Sequence, residues 1–191
     1  MDDLGFKSLG VNAESSEAGV WIGDDGPYTV TFHNEADEDI TLVIWGPWGS
    51  WVNVHTPLIT STIDKATNLT ISFASGQTGA WSAVYEDTEM LNGQISNTWG
   101  EYTFGPTGVV DVSREPNMNG KAMSIVGPTC TSDMERCVFV CKEGTVCMTN
   151  YELQNCGPES QPFAQYGYHD GAPTGGCGGL GDGAQVDAYL M

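Results

Sequence analysis

Pro27-Tyr28-Thr29-Val30-Thr31-Phe32-His33-Asn34 alternates large apolar with polar side chains, and Ile40-Thr41-Leu42-Val43-Ile44-Trp45 follows after the acidic turn Glu35-Ala36-Asp37-Glu38-Asp39. A period of two sends successive side chains to opposite faces, so the first run is a strand with one face against a core. The second run is a further strand, and together the two predict an antiparallel hairpin. Strand-like runs resume at residues 51–54, 58–63, 69–73, 80–85, 101–104, 109–113 and 121–126. Turn-forming residues separate them at roughly eight- to twelve-residue spacing, the pattern of a sandwich or barrel. No convincing amphipathic helix precedes Cys130. The predicted fold class is all-β, an antiparallel β-sandwich over residues 19–191, preceded by a flexible polar arm at residues 1–18.

Charge narrows the function. The 191-residue chain carries 25 Asp and Glu against six Lys and Arg, a formal net charge of −19. Such a surface repels phosphate backbones and anionic headgroups, so neither a nucleic-acid partner nor membrane docking is expected. No apolar run reaches the roughly 18 residues of a spanning helix. The acidity suits solubility in an acidic extracellular medium, or a cleft for a neutral or cationic ligand. The opening Met1-Asp2-Asp3-Leu4-Gly5-Phe6-Lys7-Ser8 lacks the basic start and apolar core of a secretory leader, and reads as the start of a mature chain.

The six cysteines, Cys130, Cys137, Cys141, Cys147, Cys156 and Cys177, all fall in the last third of the chain. An even count among Gly, Pro and Asn predicts disulfides and an oxidising compartment, hence a secreted protein. Zinc is the competing reading, because Cys137, Cys141 and Cys147 lie close in sequence. Structural zinc draws on paired short spacings; no second compact pair occurs, and His33, His55 and His169 adjoin none of the cysteines. No metal is expected. Residues 157–183, dense in Gly and Pro, read as loop within a small Cys/Gly-rich lobe at about residues 127–183 that needs covalent staples. Asn68-Leu69-Thr70 is a glycosylation sequon.

Two constellations can carry function. Glu101 and Asp111 sit on successive strands and can approach each other across a hairpin, and a carboxyl pair across a cleft is the machinery of glycoside hydrolysis. Trp45-Gly46-Pro47-Trp48-Gly49-Ser50-Trp51 sets three indoles in a Gly/Pro loop. They are either core, with only Trp48 at the rim, or flat faces for a sugar or protein partner. Trp81 and Trp99 are read as core. The acidic turns at Asp24-Asp25, Asp37-Glu38-Asp39 and Glu86-Asp87 lack the spacing of a calcium loop and are read as solvated.

The hairpin runs above, then Trp99-Gly100-Glu101-Tyr102-Thr103-Phe104, Val110-Asp111-Val112-Ser113 and Asn117 to Ile125, followed by a cysteine-rich stretch from Cys130, together resemble the thaumatin-like proteins, especially small secreted fungal members. The resemblance implies a thaumatin-like sandwich with an acidic cleft at Glu101 and Asp111, and a β-1,3-glucan as the polymer. The family's Arg is unmatched in Trp81-Ser82-Ala83-Val84-Tyr85, its next Asp is replaced by Glu115, and the N-terminal half lacks the family's cysteines. A Cys147–Cys156 pairing is implied by the likeness to a small family loop. The expected function is a non-catalytic antigen or effector, a monomer without cofactor, binding cell-wall polysaccharide (a β-glucan) or a host protein through Trp48, Trp51 and Glu115. The alternatives are an endo-β-1,3-glucanase using Glu101 and Asp111, and a structural cell-wall or spore-coat component.

Overall fold

The computed structural model describes residues 9–46, 56–91 and 93–191. In chain order the strands among them are β1 (Val20–Ile22), β2 (Tyr28–Asn34), β3 (Ile40–Trp45), β4 (Ile59–Ile63), β5 (Asn68–Phe73), β6 (Thr78–Val84), β7 (Met90–Leu91), β8 (Gln94–Ile95) and β9 (Trp99–Thr103). There follow β10 (Val109–Ser113), β11 (Met123–Val126), β12 (Thr131–Ser132), β13 (Val138–Cys141), β14 (Tyr151–Gln154), β15 (Ala164–His169), β16 (Ala172–Cys177) and β17 (Ala184–Leu190). The only helix among the described residues is a single 3-10 turn, Ser16–Ala18. A six-stranded sheet runs β1-β5-β2-β17-β11-β12; a nine-stranded sheet runs β14-β13-β10-β9-β6-β3-β4, with the β15–β16 hairpin attached beside β10. Pairing is antiparallel except for β2 with β17 and β10 with β13.

The two sheets form the expected sandwich because their alternating strands present matching apolar faces. Tyr28, Val30, Phe32, Ile71 and Phe73 of the smaller sheet meet Ile40, Leu42, Ile44, Trp81 and Tyr102 of the larger, all fully or almost fully buried. A chain of rings crosses the interface: Phe32 meets Trp81 edge-on, Trp81 stacks on Tyr102, and Phe73 touches both Tyr102 and Phe104. Glycine at position 100 makes room for this stack, since a Cβ there would lie 2.2 Å from the Trp81 indole nitrogen. Gly100→Ala should therefore cost about 1–3 kcal/mol by overpacking. A urea midpoint equal to that of the parent would contradict this.

β2 and β3 do not form the predicted hairpin. They lie in different sheets, and the acidic turn carries the chain across the sandwich. Asn34 fixes this crossing, its side-chain amide donating to the carbonyls of Glu38 and Ile63 while Glu35 N–H donates to Leu190. Alternation specified both strands but could not say which neighbour each takes; β2 pairs instead with β5 and with the distant β17.

Of the polar N-terminal segment, residues 1–8 lie outside the described residues. Asn12 beyond them runs beside β4, with Thr60 N–H donating to its side-chain oxygen at 2.7 Å. Trp45 is buried and meets Trp99 edge to face in a second apolar cluster with Val43, Ala80, Val84 and Ile95, on the outer face of the larger sheet. Trp48 and Trp51, and the strand expected at 51–54, lie outside the described residues.

All six cysteines are paired, as Cys130–Cys177, Cys137–Cys156 and Cys141–Cys147. The Cys147–Cys156 pairing is thus corrected, and register explains why. β13 and β14 are antiparallel, with Val138 opposite Gln154 and Cys141 opposite Tyr151. Cys137 and Cys156 therefore meet at the open end of this hairpin, while Cys141 and Cys147 close its turn. The segment read as loop at residues 157–183 contains the β15–β16 hairpin, which Cys177 anchors to β10 opposite Val110.

Candidate functional site

Trp45, Ala80, Glu101 and Asp111 lie in register across β3, β6, β9 and β10. Because side chains alternate, Tyr102, Val110 and Val112 enter the core while Glu101, Asp111 and Ser113 emerge on the outer face of the larger sheet. Trp45 and Ala80 belong to the second apolar cluster there; Glu101 and Asp111 begin a cleft of about 350 Å³. Its floor includes Thr103, Val109 and Phe139. Glu115, Cys147 and Met148 form one wall, and Pro173 to Gly175 of the β15–β16 hairpin form another. Among the described residues, none that lines it is Lys, Arg or His.

Local geometry buries the carboxyls. Gly176 has φ +142°, and a Cβ there would come within 2.8 Å of the Val110 carbonyl and 3.1 Å of Asp111 Cβ. Glycine thus allows β16 to lie against β10, leaving Asp111 only 4% exposed. The opposite wall is held by the Cys141–Cys147 crosslink, with Cys147 N–H donating to the Glu115 carbonyl at 2.9 Å. Tyr151 closes that end, half-buried, its ring edge-on to Phe139 at 5.8 Å.

Three carboxyls share a poorly solvated space with no cationic side chain among its described lining residues. Burial pushes Glu101 up to about 7, with the hydrogen bond to Asp111 working in the other direction. Burial, then the charges of Glu101 and Glu115, hold Asp111 well above the carboxylate range, and so does its hydrogen bond to Glu101. The two carboxyls therefore titrate as a pair, both shifted toward the protonated form. Asp111 Oδ1 is buried with no hydrogen-bond partner in the protein. Burial and the Glu101 charge push Glu115 up to about 8, against a hydrogen bond from Ser113. Tyr151 is raised by burial and then by the charges of Glu115 and Glu101.

The structure thus brings together Glu101, Asp111 and Glu115, and adds Tyr151, Ser113 and the β15–β16 wall, which sequence reasoning missed. Asn68 is exposed at the start of β5, in the smaller sheet, and so on a different sheet from the cleft. The acidic turns make local contacts: Asp37 pairs with Lys65, Asp87 with Lys121, and Asp25 accepts from the Trp21 indole. The one group of adjacent metal-capable side chains among the described residues, Cys130, Cys137 and Cys177, consists of disulfide sulfurs rather than thiolates.

Fold and cleft together define a disulfide-stapled β-sandwich with an acidic groove on the outer face of its larger sheet. The chain belongs to the Allergen Asp f 4-like domain family, whose profile matches residues 23–155. That stretch contains Glu101, Asp111 and Glu115 and stops before the β15–β16 hairpin. Among solved structures the chain is similar to the protein elicitor MoHrip2 from Magnaporthe oryzae, with 14% identity and a TM-score of 0.41, over 85% of this chain and 98% of that one. No curated protein matches. The thaumatin-like resemblance is corrected by the family match. Its motifs mark structural needs that a β-sandwich of another family also has. Glu101 and Asp111 are outward positions on paired strands, and Asn117 folds a turn by accepting from Asn119 N–H and donating to Ser96.

Proposed function

We propose that this chain is a secreted, non-catalytic protein of the antigen or effector type that binds a neutral cell-wall polysaccharide over Glu101, Asp111 and Glu115. What supports the reading is a cleft combining buried carboxyls shifted toward the protonated form, an accessible tyrosine ring and, among the described residues, no basic side chain. Protonated and ionised carboxyls side by side can donate to and accept from sugar hydroxyls, and the ring supplies an apolar face. The overall charge of −19 disfavours polyanions. Three disulfides fit a chain that functions in an oxidising compartment.

Carboxyl spacing supports binding over hydrolysis. Glycosidases hold their two carboxyls roughly 5 Å or more apart so that a sugar, or a sugar and a water, fits between them. Glu101 and Asp111 face each other in register on adjacent strands and each is shifted by a hydrogen bond to the other, a closeness that favours binding over hydrolysis.

Retention on insoluble β-glucan, cellulose and chitin tests the proposal. The parent should be retained on at least one polymer and release no soluble sugar, while Glu115→Ala combined with Tyr151→Ala should elute with the unbound fraction. Equal retention of parent and variant would overturn the assigned site. Sugar release that disappears in Glu101→Gln would replace a binder with an enzyme.

A further inference from the structure

A second, smaller depression adjoins the acidic cleft and shares Thr103, Val109, Thr174 and Gly175 with it. In a chain of net charge −19 this depression has no charged residue among its described lining residues. Its remaining lining is Thr107, Gly108, Gln165, Tyr166 and Gly167. Hydroxyls and one amide therefore surround a single aromatic ring. That combination suits the hydroxyl edge and apolar face of an uncharged sugar; a cation or a charged peptide would find no counter-charge here.

The ring is also held in place. Tyr166 is 46% exposed, on the outer face of the β15–β16 hairpin. Its hydroxyl lies 2.7 Å from that of Tyr168, and the two rings meet edge to face at 5.5 Å. An exposed tyrosine normally loses side-chain freedom when a ligand stacks on it; here neighbouring contacts already restrict the ring, which lowers that cost of binding. Gly175, with φ +145°, lines both depressions and lets β16 lie close against β15, since a Cβ there would lie 2.0 Å from the Gln165 carbonyl.

We infer that the depression beside Tyr166 is a further sugar subsite, so that the groove takes several consecutive units of one neutral polysaccharide chain, with Tyr151 and Tyr166 at its two ends. This rests on the polysaccharide reading of the acidic cleft and adds to it a preference for long chains.

Calorimetric titration with laminaribiose and laminarihexaose, or with the corresponding oligomers of whichever polymer retains the protein, tests it. The parent should bind the hexaose more tightly than the biose. Tyr166→Ala should weaken hexaose binding roughly tenfold, the scale of one aromatic contact, and leave the biose unchanged. Tyr166→Phe, which keeps the ring, should retain most of the hexaose affinity and so separates stacking from a folding defect. Unchanged hexaose affinity in Tyr166→Ala, or equal affinity of the parent for both oligomers, would overturn the subsite while leaving the acidic cleft standing. Binding of neither oligomer by the parent would overturn both.

Discussion

Acidification from about pH 8 to about pH 5 should stabilise this protein, by about 3 kcal/mol or roughly 10 °C in Tm for a chain of this size. The sign follows from the raised carboxyls. Glu101 and Glu115 are pushed up to about 7 and about 8 by burial, and Asp111 is raised in the same direction. In the unfolded chain all three ionise near 4 to 4.5. Between these limits the folded state binds more protons than the unfolded state, so stability is complete below the unfolded values and is lost as pH rises through the folded ones. The total is smaller than the separate shifts would sum to, because the three groups share one field and ionise in sequence. Denaturant midpoints across this range measure the slope, and Glu101→Gln with Glu115→Gln should flatten it. A midpoint that rises with pH would refute the electrostatic description of the cleft.

Loss of the Cys130–Cys177 crosslink should be the most destabilising single covalent change. It spans 47 residues and ties the start of β12 to the end of β16. Loop-closure entropy assigns it about 4 kcal/mol, against about 2 kcal/mol for Cys141–Cys147, which spans six. The two should also fail differently. Replacing Cys130 and Cys177 with Ala frees the β15–β16 hairpin and lowers global stability. Replacing Cys141 and Cys147 with Ala loosens the wall at Glu115 and weakens ligand retention more than it lowers Tm. Equal Tm losses from the two pairs, or none from the first, would contradict this ranking.

Much of the fold was legible because alternation is a local property. Residues 28–34, 40–45, 69–73 and 109–113 each declare a strand by sending every second side chain into the core. Glu101 and Asp111 were recognisable for the same reason, as polar outward positions on consecutive strands that pair in register. Partner choice was not legible. β2 joins β17 across more than 150 residues, and no local pattern distinguishes that neighbour from the nearby β3. The β15–β16 hairpin was hidden by its glycines, which weaken strand propensity; Gly176 allows the close approach to β10 that buries Asp111. Tyr151 reaches the cleft only because β13 pairs with β10 and carries β14 to the edge of the larger sheet, a long-range arrangement. Disulfide partners followed β13–β14 register rather than a familiar loop length.

The most direct test is carboxyl ¹³C NMR of the intact, oxidised protein, titrated with pH and then with laminarihexaose. The side-chain carboxyl carbons of Glu101, Asp111 and Glu115 should change protonation far above the other acidic residues, and the same three signals should move when the sugar is added. Ordinary carboxylate titration at all three positions, or sugar-induced shifts confined to other parts of the surface, would show that the outer face of the larger sheet is not the protonated, sugar-binding groove described here.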